Sequence, residues 1–147
     1  MESTQKQKSV YVVEDDIEMS TVIDRVLKSI DSNLILDWST SAEEAIQNIH
    51  NASKKGLKKP YDLIIADVLL DGSRSGIDLW NYSKRKYPDM PIILTSAISR
   101  ESLFPPGNSV QDKPIFLQKP FSITECKSIF RKILTYPDKY SGTSVAT

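Results

Sequence analysis

Five short apolar runs punctuate the chain: residues 10–13 (VYVV), 34–38 (LILDW), 61–68 (YDLIIADV), 91–97 (PIILTSA) and 114–118 (PIFLQ). They are rich in β-branched residues or leucine and do not alternate strictly, as expected of parallel strands covered on both faces. Segments of helical period lie between and after them. Ile17, Val22, Ile23, Val26, Leu27 and Ile30 form one apolar stripe. Ala42, Ala45, Ile46 and Ile49 form a second, with Ser41 as N-cap and Glu44 three residues on, a capping-box pattern. Residues 76–87 predict a third helix, with Ile77, Leu79, Trp80 and Tyr87 inward. Ile123, Cys126, Ile129, Phe130, Ile133 and Leu134 complete a last stripe, opened by Ser122 as N-cap. Strand and helix alternating to five strands imply an α/β fold with right-handed crossovers and a doubly wound parallel sheet.

Polar residues 1–8 (MESTQKQK) and the Ser-, Thr- and Gly-containing stretch 137–147 read as loose tails around a domain of residues 9–136. The length of 147 residues fits one domain. Nineteen basic residues balance nineteen acidic ones, so no bulk positive field exists to hold nucleic acid directly. A single cysteine, Cys126, excludes an internal disulfide and a multi-cysteine zinc site. It reads as a small core residue. No apolar run approaches the roughly 18 residues of a membrane span, and no signal-peptide pattern opens the chain. A cytoplasmic protein without membrane insertion is therefore expected.

In such a sheet, ligands bind beyond the carboxyl ends of the strands. Strand one ends in Glu14-Asp15-Asp16, strand three in Asp67, strand four in Thr95-Ser96-Ala97 and strand five in Lys119-Pro120-Phe121. Carboxylates, hydroxyls and an ammonium thus converge from distant parts of the chain. Clustered carboxylates resist joint ionisation unless a cation joins them. Hard oxygen donors at an open site suit Mg²⁺, and the lysine offers a fixed charge to an anion. The set suits phosphoryl chemistry on an aspartate.

With VVEDD at 12–16, IIADV at 64–68, TSA at 95–97 and QKPF at 118–121, the chain resembles the response-regulator receiver domains of bacterial two-component signalling. The resemblance spans about residues 9–136. It implies the flavodoxin-like strand order 2-1-3-4-5, with Asp67 as phosphoacceptor. It further implies Mg²⁺, with Mn²⁺ as an alternative, held by Glu14, Asp15, Asp67 and the Leu69 backbone carbonyl; Asp16 lies one residue beyond the usual acidic pair. Lys119 would pair with the aspartate and its phosphoryl group. Ser96, with Thr95 as the fallback, would bond a phosphoryl oxygen, and Phe116 stands at the aromatic switch position. A cis bond before Pro120 is also implied. Leu69 and Ile98 occupy the positions that line the path of the attacking water. Being apolar they cannot orient it, so slow self-dephosphorylation is expected. The implied partners are a histidine kinase or histidine phosphotransfer protein, a downstream protein, and a second copy in a homodimer. Such a domain is a signalling phosphoacceptor, not an enzyme acting on other substrates.

Three stretches depart from the family pattern. In 68–76 (VLLDGSRSG) the next glycine, Gly76, comes nine residues after Asp67, one later than usual, and Asp71-Gly72 signals a turn. After Ala97, Pro105, Pro106 and Gly107 limit helix four to one or two turns within about 99–104, which remodels the surface at 98–110. The stretch 51–60 (NASKKGLKKP) carries four lysines; a solvated helix end with Gly56 as C-cap is the simpler reading, and a docking patch for an acidic partner the sharper one. His50 reads as solvated, Trp38 and Trp80 as packing residues. Only eleven residues follow Tyr136, so output is expected through protein contact or onward phosphotransfer. The alternative is a pseudo-receiver, a scaffold module that keeps the fold without using phosphate. A flavin or nucleotide binder is disfavoured because acids stand where phosphate would sit, and no Walker A pattern is present.

Overall fold

A computed structural model describes residues 6–53, 59–105 and 114–140. The elements are β1 (Ser9–Val13), α1 (Ile17–Ile30), β2 (Ile35–Ser39), α2 (Ala42–Ser53), β3 (Leu63–Asp67), α3 (Gly76–Lys86), β4 (Ile92–Ser96), α4 (Arg100–Leu103), β5 (Ile115–Gln118) and α5 (Ile123–Thr135). The five strands pair in parallel in the order β2-β1-β3-β4-β5, the expected doubly wound arrangement. Central β3 and β4 are buried along their whole length, which is why their sequences do not alternate.

One face of the sheet, with Tyr11, Val13, Ile64, Ala66 and Leu94, packs on Ala45 and Ile49 of α2 and Leu79 and Trp80 of α3. The other, with Val10, Val12, Ile65, Ile93 and Leu117, packs on Ile23 and Leu27 of α1 and Phe130 and Ile133 of α5. Burial of Cys126 among these side chains pushes its thiol pKa up to about 12.

Two residues placed inward from periodicity lie outside. Ile17 is 82% exposed and Ile123 64%. Each is the first residue of its helix, directly after the cap at Asp16 or Ser122. A helical side chain leans toward the N-terminus, so these two reach past the sheet instead of onto it. Of the capping box expected at α2, the Glu44 N–H does donate to Ser41 Oγ at 3.2 Å. A box with both bonds forms at α3, between Ser75 and Asp78.

α4 is a single turn, capped by Ser99, which accepts from the Ser102 N–H at 3.2 Å. Leu103 and Phe104 fold back onto the α2/α3 side of the core, and Phe104 meets Trp80 edge-on at 5.6 Å. The chain does not loosen at 137: Pro137–Tyr140 form a 3-10 turn, and Tyr140 packs on the α1/α5 side of the core. At the other end Lys8 is already tied in, its Nζ donating to Leu134 O and its carbonyl accepting from Ile35 N–H. Lys54, Lys55, Gly56, Lys58, Pro106, Gly107 and residues 141–147 fall outside the described residues.

Gly76 fixes how closely α3 approaches β3. A Cβ there would stand 2.2 Å from the Asp67 carbonyl oxygen and 3.1 Å from Val68 Cα. Gly76→Ala is expected to destabilise the fold by about 1–3 kcal/mol, the usual range for overpacking, as read by urea denaturation; unchanged stability would show that α3 can move away from β3 freely.

Candidate functional site

The carboxyl ends of β1, β3, β4 and β5 share one rim because every strand runs in the same direction. β1 leads directly into Glu14, which is buried, and Asp15. β3 delivers Asp67, also buried, as its last residue. β5 is followed by Lys119, whose backbone N–H donates to Ser96 O at 2.8 Å and whose peptide to Pro120 is cis. One carboxylate oxygen from each of Glu14, Asp15 and Asp67 lies within 4.8 Å of the others. Lys119 Nζ stands 3.0 Å from Asp67 Oδ2 and 3.2 Å from Glu14 Oε1. The contact with Glu14 was not anticipated, since one lysine was assigned to one aspartate.

The electrostatics follow from this crowding. Burial, and then the Asp67 charge, push the Glu14 carboxyl up to about 7 against the pull of Lys119. For Lys119, burial alone would lower the ammonium pKa. The hydrogen bond to Asp67 and the charges of Asp67 and Glu14 outweigh it and raise the pKa. Three carboxylates against one ammonium leave the cluster two positive charges short of balance when all are ionised. Hard oxygen donors in such a deficit fit a hard divalent cation.

Asp16 does not join the cluster. Its carboxylate caps α1, accepting from the N–H groups of Glu18 at 2.9 Å and Met19 at 3.4 Å, and its own N–H donates to Glu14 Oε2 at 3.2 Å. A residue one place beyond the strand's acidic end is at the helix start, where an acid has its ordinary use.

Thr95 and Ser96 are both buried. Ser96 Oγ accepts from the Ile98 N–H at 2.9 Å, whereas among the described residues Thr95 Oγ1 has no hydrogen-bond partner. Phe116 lies opposite Leu94, half-buried against the α2/α3 side of the core. Leu69 and Ile98 are 58% and 36% exposed. The Leu69 N–H donates to Asp67 Oδ1 at 3.2 Å, so the two oxygens of Asp67 have different partners.

Sequence reasoning missed Glu43. Its Oε2 accepts from both the N–H and the Oγ of Ser73, at 2.9 and 3.0 Å, tying the loop after Asp67 to the first turn of α2. An acid in a helix's first turn has an ordinary explanation in the helix dipole, so nothing local signals the second role.

Among the described residues no cationic side chain pairs with Asp15. Asp15→Asn is therefore expected to raise stability in chelator by about 0.5–2 kcal/mol, the range for removing an unfavourable functional charge. Thermal melts in EDTA read this directly, and a lower melting temperature would mean that Asp15 is not repelled by its neighbours.

Comparison with known proteins agrees with this geometry. A family model described as "Response regulator receiver domain" matches residues 10–131. No curated protein matches the chain. Among solved structures, a response regulator receiver protein from Sinorhizobium medicae is similar at TM-score 0.70 and 17% identity, over 90% of this chain and 98% of that one. A CheY-like receiver domain protein from Methanospirillum hungatei is similar at TM-score 0.71 and 18% identity, over 91% and 98%. A putative response regulator from Chloroflexus aurantiacus is similar at TM-score 0.66 and 26% identity, over 88% and 99%. With five parallel strands in the order 2-1-3-4-5 and an acidic cluster facing a lysine at their carboxyl ends, the chain belongs to the response regulator receiver domain family.

Proposed function

We propose that this receiver domain accepts a phosphoryl group on Asp67 from a phosphohistidine of a histidine kinase or phosphotransfer protein, and signals through contact with a downstream protein or a second copy. The reading is carried by one observation: the Lys119 ammonium lies 3.0 Å from Asp67 Oδ2, within an acidic cluster that includes Glu14 and Asp15. In the transfer, the P–N bond to the donor imidazole breaks and a P–O bond to an Asp67 carboxylate oxygen forms. Little covalent work falls to the protein, so positioning and charge stabilisation dominate. Lys119 offsets charge on the transferring oxygens. Glu14, Asp15, Asp67 and the Leu69 carbonyl would hold Mg²⁺, which would supply further positive charge. Ser96, which accepts from the Ile98 N–H, has its own hydroxyl proton to donate to a phosphoryl oxygen, with Thr95 beside it. Half-buried Phe116 follows the shift of the loop after β4. The chain promotes its own phosphorylation and dephosphorylation and acts on no other substrate. Among the described residues no helix is long and apolar enough to cross a membrane.

Incubation with Mg²⁺ and a small phosphodonor, read by intact mass beside Asp67→Asn, is expected to give a single adduct. That adduct requires Mg²⁺ and is absent from the variant. A chain that neither gains the adduct nor binds Mg²⁺ would be a phosphate-independent scaffold.

The adduct is also expected to be long-lived. The exposed Leu69 and Ile98 side chains offer no hydrogen-bonding group to an attacking water. Leu69→Asn should shorten the lifetime of the phosphoryl group in a time course of intact mass. A wild-type half-life of seconds, unaltered by the substitution, is the contrary result.

A further inference from the structure

We propose that Glu43 is a positioning residue for the phosphoacceptor site, acting through the loop of residues 68–75; this rests on the reading of Asp67 given above. The loop must cross from Asp67 to Gly76, and its two ends are firmly placed. At the first, Val68 N–H donates to Thr95 O at 2.9 Å, and Val68 O accepts from Gly76 N–H at 3.0 Å. At the last, Ser75 caps α3. The stretch between them carries both groups that matter to Asp67: the Leu69 N–H, which donates to Asp67 Oδ1 at 3.2 Å, and the Leu69 carbonyl assigned to the cation.

The loop's outer turn is held against α2. Asp71 forms a parallel bridge with Ser41. Gly72 then turns the chain at φ +95°, and Ser73 gives both its N–H and its hydroxyl to Glu43 Oε2. Gly72 is needed twice over, since a Cβ there would meet the two Glu43 carboxylate oxygens at 2.8 and 2.9 Å. The carboxylate is suited to the place. Its own backbone N–H, then the Ser73 N–H and hydroxyl, hold the Glu43 carboxyl below the usual range, so it stays ionised near neutral pH. An exposed clasp of this kind contributes little to global stability. Its consequence is geometric. Glu43 backs the Asp71–Ser41 bridge from its far side; without it that bridge alone holds the outer turn, and loosening there reaches the Leu69 N–H and carbonyl two residues away. Groups that orient a metal's ligands change affinity by roughly 10–100-fold when lost.

Glu43→Ala and Glu43→Gln separate this role from a merely structural one. Mg²⁺ titrations by tryptophan fluorescence should show about tenfold weaker binding for Glu43→Ala. Glu43→Gln should fall between Glu43→Ala and wild type, because its carboxamide oxygen still accepts from Ser73 without the charge. Melting temperatures in chelator should stay near wild type, and amide exchange at 68–75 should quicken in both variants. Wild-type Mg²⁺ affinity in Glu43→Ala, or a loss that matches a general fall in melting temperature, overturns the proposal. So does unchanged exchange at Leu69. If the wild-type protein itself binds no Mg²⁺ and takes no phosphoryl group, the reading of Asp67 fails, and the positioning role with it.

Discussion

The architecture turns on a single ammonium held between two buried carboxylates. Lys119 lies within 3.2 Å of both Glu14 and Asp67. Without it, ionised acids at the ends of β1 and β3 would face one another in a partly dry setting, where like charges are costly. That requirement reaches back into the fold. Lys119 comes from the end of β5, at the opposite side of the sheet from β1's neighbour β2. The parallel sheet puts its carboxyl ends on one rim, and so lets the lysine of one edge reach acids supplied from its centre. The Lys119 backbone N–H bond to Ser96 O ties the same residue to the end of β4, so three strand ends are registered around one residue.

Most of the fold was legible because burial on both faces writes continuous apolar runs, and helix faces write a period. The strands fall within a residue or two of the runs that announced them. The acids and the lysine that cluster were legible for a related reason: each stands at or just past the end of a strand, and a polar group in that position lies on the rim. The exceptions share a cause. Ile17 and Ile123 obey the period of their helices, but the period does not say that a first-turn residue overshoots the sheet. Asp16 looks like its acidic neighbours, yet one step along the chain moves it from strand end to helix cap. Glu43 is joined to Ser73, thirty residues away, and no local pattern reports a contact between a helix and a loop at such separation.

The shortened α4 shows a different balance. Pro105 forbids the residue before it a helical conformation, and Phe104 adopts φ −131°, outside the helix. What a longer helix would bury is replaced by two side chains, Leu103 and Phe104, folded onto the α2/α3 side of the core beside Trp80. Phe116 packs on that same side. The aromatic position on β5 and the single turn of α4 thus lean on one hydrophobic wall, where close packing leaves little room for independent movement.

The hydroxyl pair at the end of β4 stands where the chain leaves the rim for that wall. Ser96 Oγ is an acceptor for Ile98 N–H, and accepting leaves the serine proton uncommitted. Ser96 can therefore donate toward the Asp67 rim while keeping its hold on the loop. Any displacement of the hydroxyl carries the Ile98 backbone with it, and Ile98 directly precedes Ser99, the cap of α4. Thr95 Oγ1, by contrast, has no hydrogen-bond partner among the described residues. The path from Ser96 through Ile98 and Ser99 into the single turn of α4 is short and covalent for most of its length, so the rim and Phe104 are joined without a long helix between them.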